Sequence, residues 1–113
     1  MADQKTIQWK SYNAGMSEAQ AAGKPIFLHF YAIWCAYCTK MEKDSFQNDT
    51  VIDFLNQNYI SIRVDLDQQP DIGNNYNVFA LPTTYFFSAK GEKTGPIPGY
   101  IPRERLLKML KKV

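Results

Sequence analysis

The stretch Pro25-Ile26-Phe27-Leu28-His29-Phe30-Tyr31-Ala32-Ile33-Trp34-Cys35-Ala36-Tyr37-Cys38 decides how this chain is read. Residues 25–31 are almost continuously apolar and aromatic, the pattern of a strand covered on both faces. No Gly or Pro interrupts Cys35 to Phe46, so a helix is expected there. The only two cysteines, Cys35 and Cys38, therefore fall where a central strand becomes a helix.

Outward from this stretch the chain alternates. Ile7 to Tyr12 reads as a short opening strand, and Ser17 to Ala22 as helix-forming sequence that Gly23 can end in a left-handed conformation. Asp49 or Thr50 can cap a helical run through Val51-Ile52-Asp53-Phe54-Leu55. Tyr59 to Asp65 alternates as a strand, and Asp71 to Tyr76 is weakly helical. Thr83 to Phe87 is β-branched and aromatic, and Ala89 to Glu92 turns it into an edge strand near Thr94 to Ile97, where Pro96 and Pro98 are tolerated. Leu106, Leu107 and Leu110 line one side of a closing helix whose end is rich in lysine.

Composition limits the function classes. With 113 residues, 45% of them hydrophobic, the chain can bury one core, and a single domain over residues 1–113 is expected, with residues 1–6 as a flexible N-terminal segment. Thirteen basic and 11 acidic residues leave a formal charge of +2 with no basic stripe, which argues against nucleic acid. Residues 25–37 form the longest apolar stretch, shorter than the roughly 20 residues of a membrane span. No membrane insertion is expected. Residues 1–5 are polar, so the protein is read either as cytoplasmic or as an extracytoplasmic one whose signal has been removed.

The cysteine spacing carries chemistry. A thiol reacts as thiolate, and a helix N-terminus stabilises negative charge through its unpaired N–H groups and the helix dipole. Cys35 is accordingly the expected nucleophile. Cys38, three residues on and a turn deeper, is placed to attack a mixed disulfide at Cys35 and release a reduced client. As a structural staple, a disulfide closing so small a loop would remove little entropy from the unfolded chain. A Cu(I) carrier is the alternative of a different class, since two thiolates with Met41 nearby suit a soft ion. Two cysteines and one histidine do not complete a usual structural zinc site.

The order β-α-β-α-β-α-β-β-α resembles the thioredoxin fold, an α/β architecture with a central mixed sheet flanked by helices. The resemblance runs from about Ile7 to Val113. It rests on Trp34-Cys35-Ala36-Tyr37-Cys38, Val64-Asp65-Leu66-Asp67, Ala80-Leu81-Pro82-Thr83 and Gly99. Lys24-Pro25, Tyr31-Ala32, Glu42 and Phe46 are most similar to the thioredoxin-like domain of bacterial transmembrane disulfide reductases and their free-standing extracytoplasmic relatives.

The resemblance implies a monomeric thiol–disulfide oxidoreductase that reduces protein disulfides and is recharged by a redox partner protein. An oxidising or isomerising role is the alternative. No cofactor or metal is expected beyond a redox-active Cys35–Cys38 disulfide, and the bacterial periplasm or a similar space is the implied location. Leu81–Pro82 is expected to be cis and to lie beside Cys35, where the Leu81 backbone could pair with an extended client. Trp34, Ala36, Tyr37, Leu81 and Pro82 are the expected client-contacting residues.

Three positions depart from thioredoxins. His29 stands where they carry a buried aspartate, with Arg63 in place of its lysine companion, and Tyr37 replaces a common proline. Burial and Arg63 should keep His29 neutral and able to accept the Cys38 proton. The competing reading is a core histidine hydrogen-bonded to backbone. Glu42 shares a helical face with Cys38 and could take part of the missing acid's work, or be a solvated helix residue.

Overall fold

The computed structural model describes residues 5–113; the first four residues of the expected flexible segment lie outside the described part. Lys5 and Thr6 make long-range contacts, Lys5 Nζ pairing with Asp53 at 2.9 Å and the Thr6 carbonyl accepting from Asn56 at 2.9 Å.

Five strands form one mixed sheet, β1 (Trp9–Lys10), β2 (Ile26–Tyr31), β3 (Ile60–Asp65), β4 (Thr83–Phe87) and β5 (Lys93–Pro98), in the order β1-β3-β2-β4-β5. β2 is central, parallel to β3 and antiparallel to β4, and its alternate side chains enter core clusters on both faces of the sheet. The helices are α1 (Tyr12–Ala22), α2 (Ala36–Lys43), α3 (Asp49–Asn58), α4 (Pro70–Asn75) and α5 (Arg103–Lys112). This is the expected α/β architecture.

Each face of the sheet carries its own core. Phe27 and Phe86 pack with Met41, Val51, Ile52, Leu55, Leu106 and Leu110 on one side. Leu28, Phe30, Ile62, Val64 and Tyr85 pack with Ala19 on the other. Phe27, Phe30 and Phe86 have at most 1% of their surface exposed, and burial of each such side chain is worth about 1.5–3 kcal/mol. In α5, Leu106 and Leu110 are buried and Leu107 is half-buried.

Several expected boundaries move. The opening strand is only Trp9–Lys10, because Tyr12 already begins α1. A Cβ on Gly15 would stand 2.4 Å from Ile62 Cγ1, so α1 lies directly on β3 and glycine at this buried site allows the approach. The Tyr12 hydroxyl meets that of Tyr76 at 2.7 Å, holding the same end. Gly23, at φ 65°, ends α1 as expected.

The helix after Cys35 stops at Lys43 and gives way to a 3₁₀ turn, Ser45–Gln47. Distant side chains break it: the Tyr100 hydroxyl donates to Asp44, and the buried Ser45 hydroxyl donates to the Ile101 carbonyl. Asn48, rather than Asp49 or Thr50, caps α3, its side chain accepting the Val51 N–H at 3.1 Å. Leu81–Pro82 is cis, as expected, and so is Gly95–Pro96 in the exposed edge strand β5. At Gly95, φ is 130° and a Cβ would press on Tyr85 Cδ1 at 2.7 Å, so no larger residue fits.

Candidate active site

Cys35 is the N-cap of α2, with an extended backbone, and its Sγ accepts the Cys38 N–H at 3.2 Å. A sulfur in that position meets the positive end of the helix, where negative charge is stabilised. Both cysteines are free. Fractional exposure does not separate them, being 5% for Cys35 and 4% for Cys38. Position and hydrogen bonding do: Cys38 lies one turn inside the helix, and burial, then hydrogen bonding to Cys35, push its thiol up to about 12. Cys38 is therefore a protonated thiol at neutral pH, and any attack by it needs a base.

The residues around the pair divide into a rim and a floor. Ala32 and the half-buried Leu81 pack against the two cysteines, which brings the loop of the cis Leu81–Pro82 bond next to them. Pro82 is buried and its carbonyl accepts the Gly99 N–H at 2.7 Å. Neither the N–H nor the C=O of Leu81 has a backbone partner among the described residues. On the rim, Trp34 is 72% exposed and Tyr37 62%, with Ala36 exposed between them and Ile33 before them. Trp34 does not swing freely, because its indole N–H donates to Asp67 Oδ2 at 2.8 Å. Asp67 in turn is held by its own N–H donating to Asp65 Oδ1 at 2.9 Å.

His29 forms part of the floor. It is buried in β2, with its ring parallel to Tyr31 at 6.0 Å and edge-on to Phe46 at 4.9 Å. Burial first, and the Arg63 guanidinium second, hold its pKa down at about 3. The imidazole is thus neutral, as expected. Its Nδ1 has no hydrogen-bond partner, so the histidine is not tied to backbone through that atom.

A narrow cavity of about 10 Å³ connects these groups, lined among others by His29, Cys38, Glu42 and Arg63. That is about the room one water needs. Glu42 stands at its exposed side and pairs with Arg63 at 3.6 Å, while Arg63 lies over the rings of Trp9 at 5.5 Å and Tyr31 at 5.6 Å. The structure therefore brings Cys35, Cys38, His29 and Glu42 to one locality. Met41, near the two thiolates in the copper-carrier reading, is fully buried and packs in a different core cluster from the cysteines.

Asp67, Ile33 and Trp9 escaped the sequence reading. Asp67 lay inside a quoted motif, but nothing in the chain order pairs it with Trp34, 33 residues earlier.

A family profile for the thioredoxin-like domain matches residues 12–113. A thioredoxin from Thermus thermophilus superposes with a TM-score of 0.83 at 26% identity, covering 95% of this chain and 86% of that one. Spermatogenesis-associated protein 20 of Rattus norvegicus is 37% identical over 79 residues, 69% of this chain. The thiol:disulfide interchange protein DsbD of Salmonella typhi is 36% identical over 78 residues, 66% of this chain. The chain spans only 10% and 14% of the lengths of these two relatives. With the match covering nearly all of it, this chain belongs to the thioredoxin-like domain family, whose members are in general thiol–disulfide oxidoreductases.

Proposed function

We propose that this protein reduces disulfides of protein clients. The observation that carries the proposal is the unequal placement of the two cysteines, Cys35 Sγ at the α2 N-terminus accepting an N–H and Cys38 a buried, protonated thiol one turn behind it. The Cys35 thiolate attacks one sulfur of a client disulfide, forming a mixed disulfide and releasing the other client sulfur as thiolate. Cys38 then loses its proton and attacks Cys35 Sγ. The Cys35–client bond breaks, the second client sulfur leaves, and the client has gained the two electrons lost by the Cys35–Cys38 pair. A dithiol partner protein returns those electrons by the same exchange.

His29 is the internal acceptor of the Cys38 proton, and Glu42, half-exposed at the cavity's outer side, passes it to solvent. Both line the cavity that touches Cys38. The neutral ring has a free lone pair, but its low pKa makes the imidazolium only a short-lived carrier that hands the proton on, and the Glu42 carboxylate offsets the Arg63 charge that opposes it. Extended clients lie along the free Leu81 backbone groups, flanked by Trp34, Ala36 and Tyr37. An extracytoplasmic location, implied by the resemblance to reductase domains, belongs to the same proposal.

The test is the reduction potential in glutathione buffers, together with turnover of a disulfide-bonded protein by the reduced form. A reductase falls near −270 mV, as thioredoxin does, and a dedicated oxidant near −120 mV. A value at the oxidising end, with no turnover, overturns the direction. The oxidising reading draws on Tyr37 and His29, which stand where thioredoxins carry proline and a buried acid.

A further inference from the structure

The described residues contain three buried side-chain polar atoms without a hydrogen-bond partner, and two of them are neighbours: His29 Nδ1 and Thr84 Oγ1. His29 on β2 sits directly opposite Thr84 on β4 in the antiparallel register, with Arg63 opposite His29 on the other side. Residues so paired project from the same face of the sheet, with Cβ atoms about 4.5–5.5 Å apart. Thr84 is fully buried and His29 is 3% exposed, so no solvent relieves either atom. A buried polar atom left unpaired costs stability comparable to a lost hydrogen bond, and two orphans on directly paired residues can be relieved by one bond between them.

We propose that Thr84 is a positioning residue for His29: its Oγ1, turned about χ1, accepts the Nδ1–H and fixes the neutral imidazole in the tautomer whose Nε2 lone pair is free. Imidazole carries one donor and one acceptor when neutral, and the partner of one nitrogen decides which the other is. With Nδ1 committed to Thr84, Nε2 is the nitrogen left for the cavity shared with Cys38. The same bond serves after the proton arrives, since an imidazolium still carries Nδ1–H. It thus favours the charged form and works against the burial and the Arg63 charge that disfavour it. The step itself transfers a proton only: Sγ–H of Cys38 breaks, N–H forms at Nε2, and the electron pair left on sulfur attacks the mixed disulfide.

This placement rests on the proposed role of His29 in resolution, and the experiment separates the two. Thr84→Val keeps the shape and removes the hydroxyl; Thr84→Ser keeps the hydroxyl. For each, ¹⁵N chemical shifts of the His29 ring give the tautomer, urea unfolding gives the stability, and stopped-flow traces give the rate at which Cys38 resolves a mixed disulfide. The proposal expects Nδ1–H in the wild type and in Thr84→Ser. In Thr84→Val the tautomer shifts toward Nε2–H, the unfolding midpoint falls and resolution slows about tenfold, the equivalent of one hydrogen bond. If Thr84 were a true orphan, valine would raise the midpoint and leave the tautomer unchanged, and that result overturns the proposal. A changed tautomer with an unchanged resolution rate would uphold the Thr84–His29 bond and overturn the role of His29 in the chemistry.

Discussion

Acid should weaken this fold through His29 before most other groups contribute. The ring's pKa is about 3 in the folded protein against an ordinary 6.5, so between those values the unfolded chain binds a proton that the native state refuses. The stabilising effect of keeping the ring neutral is complete above pH 6.5 and is lost as pH falls toward 3. Each unit of difference is worth 1.36 kcal/mol, so a fall from pH 6.5 to 4.5 should cost about 2 kcal/mol through this one group. His29→Phe supplies the reference. Its ring fits among Phe27, Tyr31 and Phe46 without a titrating nitrogen, and carboxylates common to both proteins cancel in the difference. Urea unfolding curves at pH 7.5, 6.5, 5.5 and 4.5 give the stabilities. The stability of the wild type relative to His29→Phe should drop by about 2 kcal/mol from pH 6.5 to 4.5. Parallel pH profiles for the two proteins would refute the reasoning, because they would mean that the buried ring takes up its proton in place.

Three further outcomes follow from the same geometry. Arg63→Gln removes the second cause of the His29 depression and leaves burial, so the ring's pKa should rise while staying below 6.5, as read from its proton shifts in NMR. Asp67→Ala frees the Trp34 indole and should lower turnover of a folded protein client several-fold, while exchange with a small disulfide stays unchanged; an equal loss with both would place Asp67 in the chemistry rather than on the rim. Gly15→Ala gains about 1 kcal/mol of helix propensity but drives a Cβ into Ile62, and should destabilise by about 1–2 kcal/mol net in thermal or urea unfolding.

How much of this could be read from the chain depends on whether the cause is local. The central strand announces itself through unbroken apolar sequence, and the cysteine pair through its spacing at a strand–helix junction. The cis Leu81–Pro82 bond was legible only through the resemblance carried by Ala80-Leu81-Pro82-Thr83, since most X–Pro bonds are trans. What failed was set by contacts between distant residues. α2 ends early because Asp44 and Ser45 bond to residues 56 positions away, and α1 starts early because Gly15 lets it settle onto Ile62. Asn48 outcompetes Asp49 and Thr50 as a cap, a choice among adjacent residues that propensity does not separate. His29 and Arg63 could be singled out from position. That Thr84 faces His29 could not, because register across β2 and β4 is invisible until the strands pair.

The central claim is that Cys35 attacks and Cys38 resolves, and trapping tests it most directly. Cys38→Ser and Cys35→Ser are each incubated, reduced, with a disulfide-bonded protein client, quenched with acid and analysed by intact-mass spectrometry. Cys38→Ser should accumulate a mixed disulfide through Cys35, because nothing resolves it. Cys35→Ser should accumulate almost none, since its remaining thiol lies behind the α2 N-cap position with its pKa pushed up to about 12 while Cys35 is present. Equal adducts from both variants, or none from either, would contradict the account.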